Sequence, residues 1–135
     1  MQHIFTYGSL MFDPVWSRVV THTYTSSRAR LPGYQRCCVI NETYPIAIPA
    51  CDAHIDGVLY WNVNAQDVTR LDTFEGDYYQ RIPVNIELTS GVTVAWVYAL
   101  NPVYQHIVDY RPWNVEQFSQ TGMTQFLQRY QGFLT

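Results

Sequence analysis

Lysine is absent from this sequence, and its eight basic residues are arginines scattered along the chain. Charged residues make up only 14% of the chain, and the formal net charge is −3. A chain of this charge without a basic cluster has no general electrostatic attraction to phosphate backbones. We therefore expect no nucleic-acid partner.

Long apolar runs are also absent. No window approaches the length needed to span a bilayer. Residues 1–5 have neither the basic region nor the apolar run of a signal peptide. These features predict a cytoplasmic protein that has no membrane partner.

Cysteine is scarce, with three in the chain. Cys37 and Cys38 are adjacent, a spacing that fits neither a Cys-x-x-Cys redox pair nor a zinc knuckle. Cys51 makes the number odd, so a framework of paired disulfides is not indicated. We predict that all three are reduced thiols in the core.

No motif for a nucleotide is present, since neither a Walker loop nor a Rossmann fingerprint occurs. Asp52, His54 and Asp56 alternate, so in a strand they would project from one face, and their side chains could ligate a metal. The polar outer face of a half-buried strand explains the same pattern, and no second histidine cluster supports a metal. We therefore predict neither a metal nor an organic cofactor.

Apolar and aromatic residues, by contrast, are abundant. They make up 47% and 16% of the chain, respectively, and 11 of the 135 residues are tyrosines. This apolar fraction is ample for one continuous core, and the length suits one domain. We expect residues 1–135 to form a single domain in which tyrosines pack around the core or a pocket.

The first half of the chain predicts one helix and several strands. Asp13 and Pro14 are typical of a helix start, with Asp13 as N-cap and Val15, Trp16 and Val19 on the apolar side. Residues 23–40 predict two strands or a bent hairpin, broken at Pro32-Gly33. Residues 42–49, with a proline near each end, predict an ordered loop or an edge strand that walls a pocket. Residues 57–63 predict a buried strand.

The second half predicts two helices and a hairpin. Asn64 is the expected N-cap of a helix that runs to about residue 74. Strands at about residues 81–88 and 92–100 are joined by a short loop that contains Gly91. Residues 103–112 lack a clear period and predict a surface connection. Asn114 and Gln117 form a capping-box pattern for the last helix, whose apolar set is Phe118, Phe126, Leu127 and Tyr130.

The pattern changes abruptly at Glu75. Before it, Val68, Leu71 and Phe74 recur at spacings of three, as on the buried stripe of a short helix. After it, Gly76 breaks the pattern and the alternation of a strand begins. A carboxylate between apolar neighbours and a tyrosine pair could have its pKa raised toward the working pH, as a general acid or base requires. An isolated Glu-Gly pair is, however, more typical of a solvated turn.

A second distinctive stretch lies near the amino terminus. A short strand candidate at residues 3–7 runs directly into Gly8, Ser9 and Leu10. Such a turn can direct successive backbone N–H groups at one point and so bind a carboxylate or a developing oxyanion. An ordinary strand end explains the same residues.

The motifs of the chain, taken in order, resemble those of the gamma-glutamylcyclotransferase-like family over about residues 3–100. They are Phe5-Thr6-Tyr7-Gly8-Ser9-Leu10, then Gly57-Val58-Leu59-Tyr60, then Leu71-Asp72-Thr73-Phe74-Glu75-Gly76 followed by Tyr79 and Arg81. Tyr44-Pro45 and the aromatic strand ending at Tyr98 also resemble the family's pattern.

This resemblance implies an α+β fold, a small mixed β-barrel flanked by short helices, in which Glu75 and the loop at residues 7–10 meet at one pocket. It implies that a γ-glutamyl amide, amine or amino acid is cyclised to 5-oxoproline and the amine released, without metal or cofactor. Glu75 is the expected catalytic acid/base. The expected substrate-binding residues are Tyr7, Gly8, Ser9, Leu10, Tyr79 and Tyr98. Arg81 is expected to have a structural or pocket-rim role.

The sequence leaves two other functions open. One is an amide hydrolase with Ser9 as nucleophile, although no histidine partner is evident and a strand would place His3 too far from the turn. The other is a non-catalytic module that binds a small γ-glutamyl-like ligand. The leaving amine is also open, as is the choice between a monomer and a homodimer.

Overall fold

A computed structural model describes residues 2–124 and 126. Within them the chain forms six strands: β1 Gln2–Thr6, β2 Ser26–Val39, β3 Pro45–Val63, β4 Tyr79–Leu88, β5 Gly91–Leu100 and β6 Val108–Pro112. They form one sheet in the order β3-β1-β5-β4-β2-β6. β1 and β5 are parallel, and the other paired strands are antiparallel. β3 also pairs with β2, which closes five strands into a ring.

The helices of the described part are short. They are α1 Asp13–Val19, α2 Ala65–Glu75 and α3 Val115–Gln117, which continues as a π-helical turn over Phe118–Gly122. Segments of 3-10 helix cover Ser9–Met11 and Pro102–Ile107. A six-stranded sheet with a few short helices is a mixed α+β fold, which confirms the expected class. None of the described helices is long and apolar enough to cross a membrane.

Local sequence signals set both ends of α2. The Asn64 side-chain oxygen accepts a hydrogen bond from the Asp67 N–H at 2.8 Å, as the predicted cap requires. At the other end Gly76 adopts a φ of 78°, which a β-carbon would disfavour, and its N–H donates to the Asp72 carbonyl. The helix therefore stops directly after Glu75.

The two longest strands differ from the prediction. β2 is one continuous strand, not two strands or a bent hairpin, because a register shift at Pro32-Gly33 absorbs the break. β3 begins at Pro45, so the segment predicted as a loop or edge strand is the first part of a 19-residue strand. Among the described residues, Pro45 to Pro49 pair with β2 alone, as an edge would.

Residues 103–112 contain more regular structure than predicted. They include most of the second 3-10 helix and β6, which pairs with β2. That partner is remote in sequence, so a local pattern did not reveal the strand. The predicted cap at Asp13 is also wrong, because Phe12 occupies the N-cap position and Asp13 lies in the first turn of α1. A carboxylate there is favoured by the helix dipole.

The cysteine prediction is wrong at one position. Cys37 is buried and Cys38 is half-buried, but Cys51 is exposed. Of the residues considered as metal ligands, Asp56 forms an ion pair with Arg30 at 3.0 Å. Residues 2–124 and 126 contain no group of three His, Cys, Asp or Glu side chains placed to hold a metal ion.

The sheet separates two apolar clusters. The cluster on the face enclosed by the ring includes Phe5, Leu59 and Val97, which are neighbours across β1, β3 and β5. On the other face α1 and α2 pack against the sheet, and the Trp16 and Tyr60 rings stack with centroids 3.6 Å apart. Burial of a large apolar side chain stabilises the fold by roughly 1.5–3 kcal/mol. This packing fixes the position of α2.

A buried aspartate ties the start of α2 to the segment that follows α1. Asp67 is fully buried and accepts hydrogen bonds from the Thr21 N–H at 2.9 Å, the Thr21 hydroxyl at 2.8 Å and the Tyr24 hydroxyl at 2.6 Å. Burial acts to raise the pKa of Asp67, but these hydrogen bonds hold it below its ordinary value. The ionised form therefore stabilises the fold.

Replacement of Asp67 by alanine should lower the free energy of unfolding by about 2–4 kcal/mol, because it leaves buried donors without an acceptor. Asp67 contributes above its ordinary pKa of 3.8 and loses this contribution as the pH falls further. The difference between the two proteins should therefore shrink in acid. Urea unfolding at several pH values measures it.

The control is Asp52→Asn, at an exposed position whose φ of 61° asparagine tolerates. Equal stability of Asp67→Ala and the parent protein would contradict the assignment of Asp67.

Candidate active site

One cavity contains all seven residues that the sequence singled out for the site. Its lining consists of Phe5, Tyr7, Gly8, Ser9, Leu10, Tyr44, Pro45, Phe74, Glu75, Tyr79, Tyr98 and Phe126. The cavity volume is about 50 Å³, which is room for a few water molecules. A larger ligand would therefore require side chains of the wall to move.

The loop at residues 7–10 enters the cavity directly from the end of β1. It passes very close to the start of β3, because a β-carbon on Gly8 would lie 2.8 Å from ring carbons of Pro45. Only glycine fits such an approach. Within the described residues, no backbone carbonyl accepts from the N–H groups of Ser9 and Leu10. These two donors can therefore serve an anionic group in the cavity.

Glu75 is the last residue of α2, and its side chain is half-buried at the cavity. Among residues 2–124 and 126, no group is found that hydrogen-bonds to its carboxylate. Burial, and secondly the negative charge of Asp72, raise the pKa of Glu75 to about 8. A carboxyl group of that pKa can both take and return a proton near neutral pH.

Three tyrosine hydroxyls at the cavity donate their protons to acceptors within the protein. Tyr7 donates to the Tyr98 carbonyl, Tyr79 donates to the Pro45 carbonyl at 2.6 Å, and Tyr98 donates to the Asp72 carboxylate at 2.7 Å. The Tyr7 oxygen also accepts from the Ala47 N–H at 3.1 Å. A phenol has a single proton to donate. The Tyr98 proton is therefore committed to Asp72, and its phenol oxygen is left to act as an acceptor at the cavity.

Arg81 does not line the cavity. Its guanidinium bonds to the Asp72 carboxylate at 2.9 Å and to the Gln2 side chain at 2.7 Å, and it lies over the Trp96 ring. These contacts join α2, β1 and β5. Of the two roles expected for Arg81, they support the structural one.

A family model described as Gamma-glutamyl cyclotransferase, AIG2-like matches residues 4–115. The chain belongs to this family. The family assignment suggested by the sequence motifs is thereby confirmed.

Several known proteins resemble the chain over most of its length. AIG2-like protein D of Arabidopsis thaliana is 28% identical over 134 residues, which cover 94% of this chain and 85% of that protein. A solution structure of an Arabidopsis thaliana protein matches with a TM-score of 0.72 at 23% identity, covering 96% of this chain and 87% of the other. A solved gamma-glutamyl cyclotransferase matches with a TM-score of 0.64 at 18% identity, covering 74% and 66%, respectively. The two structures support the fold.

The sequence missed two residues that shape the site. Phe126 was assigned only to a helix stripe, yet it lines the cavity and packs edge-on against the Tyr44 and Phe74 rings. It lies beyond the region that matches the cyclotransferase family model. Asp72 was overlooked as well, although its position three residues before Glu75 on a helix was a usable signal. Leu127 and Tyr130 of the same predicted stripe lie outside the described residues.

Glu75→Gln should be more stable than the parent protein above about pH 5, and the gain should grow until about pH 8. Glu75 binds its proton more tightly in the folded state, with a pKa raised from 4.5 to about 8, so rising pH weakens folding across that window. Glutamine carries no titrating charge. Thermal unfolding followed by circular dichroism at a series of pH values measures the gain.

Glu116→Gln, at an exposed glutamate on α3, is the matched control and should show no such trend. A difference between Glu75→Gln and the parent protein that does not change with pH would contradict the raised pKa.

Proposed function

We propose that this protein is a metal-independent cyclotransferase that converts a γ-glutamyl amide, amine or amino acid to 5-oxoproline and the free amine. Glu75 acts as the single general acid/base. The observation that carries this proposal is the Glu75 carboxyl group of raised pKa, which has no hydrogen-bond partner among residues 2–124 and 126, in one cavity with the Ser9 and Leu10 N–H groups, for which those residues supply no backbone acceptor. Membership of the cyclotransferase family supports it.

The reaction moves two protons from the α-nitrogen to the leaving amine, and Glu75 carries them one at a time. The substrate α-ammonium first gives a proton to the ionised Glu75 carboxylate, and the freed amine attacks its own γ-carbonyl carbon. The carbonyl electrons move to oxygen and form an oxyanion. As the oxyanion collapses, the bond to the leaving amine breaks, and Glu75 returns the first proton to that amine. The ring nitrogen then gives its extra proton to the ionised Glu75, which passes it to the released amine, so the products are a neutral lactam and an ammonium. Ring closure is intramolecular, so the protein mainly holds the attack geometry and stabilises the oxyanion.

The polar groups of the cavity divide into donors and acceptors. In this proposal the N–H groups of Ser9 and Leu10 bind the α-carboxylate or the γ-carbonyl oxygen. The carboxylate of Glu75 and the phenol oxygen of Tyr98 receive the α-ammonium. A γ-glutamyl group carries both oxygens that can accept from the N–H groups and an ammonium that can donate to the carboxylate.

The surroundings of the cavity favour a leaving amine without a carboxylate. Tyr44, Phe74 and Phe126 form an aromatic wall, and no arginine lines the cavity within the described residues. A carboxylate on the leaving group would lose hydration without gaining a counter-charge from any of the described residues that line the cavity. We therefore infer a preference for γ-glutamyl amines over γ-glutamyl amino acids.

A Ser9 nucleophile is less well supported. No histidine lines the cavity among the described residues, and His3 packs on the Trp61 ring while its Nδ1 accepts from the Asn62 N–H. Without a base the serine hydroxyl stays a weak nucleophile. Acid/base chemistry at Glu75 is therefore the better explanation of the site.

Glu75→Gln should abolish release of 5-oxoproline from γ-glutamyl compounds, with a loss of about a hundredfold or more, because glutamine cannot transfer the proton. Chromatographic detection of 5-oxoproline measures the rate. A folded Glu75→Gln protein that works at the parental rate would refute the catalytic assignment. Ligand binding without product by the parent protein would instead favour a binding module.

Ser9→Ala is the companion variant. Since backbone N–H groups survive the substitution, it should retain activity within about tenfold of the parent. A loss as complete as that of Glu75→Gln would favour the hydrolase alternative.

The preference for the leaving amine can be tested with a matched pair of substrates. The γ-glutamyl amide of 2-phenylethylamine and γ-glutamylphenylalanine differ only by the carboxylate of the leaving group. We expect kcat/KM to be at least about tenfold higher for the amine, since an unpaired buried charge is costly. An equal or reversed ratio would contradict the inferred preference.

A further inference from the structure

Asp72 lies one helical turn before Glu75 on α2, outside the cavity lining. Side chains three residues apart lie on the same face of a helix, so the two carboxylates are neighbours. Like charges at that spacing repel each other, and Asp72 therefore needs compensating contacts of its own.

Two side chains from the β4–β5 hairpin hold Asp72. The Arg81 guanidinium of β4 donates from Nε at 2.9 Å, with a second contact at 3.4 Å, and the Tyr98 hydroxyl of β5 donates at 2.7 Å. Arg81 itself is fixed by the Gln2 side chain and the Trp96 ring. The last turn of α2, from which Glu75 projects, is thus tied to both strands of the hairpin.

The contact with Asp72 also decides how Tyr98 faces the cavity. Because its single proton is donated to Asp72, the phenol oxygen is left as an acceptor. Burial, and secondly the hydrogen bond to Asp72, raise the pKa of Tyr98 far above its ordinary value, so the phenol stays neutral. The Tyr98 carbonyl in turn accepts from the Tyr7 hydroxyl, which extends the network to the loop at residues 7–10.

We propose that Asp72 is the positioning residue of Glu75: held by hydrogen bonds from Arg81 and Tyr98, it fixes the last turn of α2 at the cavity and directs the Tyr98 proton away from the substrate. The role in catalysis rests on the proposed function, whereas the effect on Glu75 does not. The negative charge of Asp72 is the second cause, after burial, of the raised pKa of Glu75. The Asp72 side chain is 43% exposed, so water screens part of its field.

Carbon-13 NMR titration of the Glu75 carboxyl group tests this without requiring turnover. In Asp72→Asn, which keeps an acceptor for Tyr98, the Glu75 midpoint should fall by on the order of one pH unit because a neighbouring negative charge is gone. In Arg81→Gln the Glu75 midpoint should rise, because the negative charge of Asp72 loses the cation that pairs with it at 2.9 Å. A role confined to packing would not move the two midpoints in opposite directions.

Among the described residues that line the cavity, the other titratable groups are Tyr7, Tyr44, Tyr79 and Tyr98. The hydroxyls of Tyr7, Tyr79 and Tyr98 donate to acceptors other than Glu75. Asp77→Asn is the matched control, because Asp77 is also exposed and close to Glu75 in sequence but is absent from the cavity lining. Its Glu75 midpoint should equal that of the parent protein. An unchanged midpoint in folded Asp72→Asn, or one that moves as far in Asp77→Asn, would overturn the proposal.

The pH dependence of kcat/KM supplies the catalytic half of the test. The acidic limb that reports ionisation of Glu75 should move to lower pH in Asp72→Asn, in parallel with the NMR midpoint. A shifted NMR midpoint with an unshifted limb would overturn the catalytic role of Asp72. Failure of the parent protein to release 5-oxoproline would count against the proposed function, and the NMR comparison would still decide the effect of Asp72 on Glu75.

Discussion

The constraint on which this site depends is the partial burial of one carboxylate, Glu75, for which the described part of the chain supplies no hydrogen-bond partner. Removing Glu75 from water raises the free energy of its charged form, and the fold must hold the residue in place despite that cost. Gly76 ends the helix directly behind it, and the apolar stripe of α2 fixes the helix on the sheet. The position of Glu75 is thus set by packing and capping, and not by a hydrogen bond from its carboxylate to any of residues 2–124 and 126.

The tyrosines that line the cavity in the described part of the chain also leave the Glu75 carboxylate without a stabilising hydrogen bond. A hydroxyl proton directed at Glu75 would stabilise the carboxylate and lower its pKa. Instead the protons of Tyr7, Tyr79 and Tyr98 go to a backbone carbonyl, a second carbonyl and the Asp72 carboxylate. Among the described residues, these phenol protons are therefore directed away from Glu75, and the loop at residues 7–10 contributes two N–H groups, of Ser9 and Leu10, to which no backbone carbonyl of that part of the chain is bonded.

Features with local causes could be predicted from the sequence. The cap at Asn64, the stop at Gly76 and the placement of Glu75 at a helix end all depend on neighbours within a few residues. The resemblance to the family motifs also implied that the loop at residues 7–10 and Glu75 share one pocket, and both line the same cavity. The continuity of β2 and the existence of β6 could not be predicted, since their hydrogen bonds come from remote strands.

The directions of the tyrosine hydrogen bonds could not be predicted from the sequence either. That tyrosines line the site followed from the motifs, but the direction of each proton depends on acceptors such as Asp72 and the Pro45 carbonyl, which other segments place. The position of Phe126 at the cavity could not be predicted for a similar reason. An apolar stripe predicts that a helix packs on the core, but it does not predict which cavity its residues line.

On the proposed function, the charge balance of the cavity also selects the substrate. A Glu75 carboxyl group with a pKa of about 8 is largely protonated near neutral pH when no cation is present, and in that form it cannot act as a base. A substrate ammonium favours the ionised form by direct attraction, so the same group that must lose a proton also prepares the acceptor. An ordinary amide without an ammonium leaves Glu75 neutral. The burial that makes Glu75 costly to the fold therefore restricts its activity to substrates that carry their own positive charge.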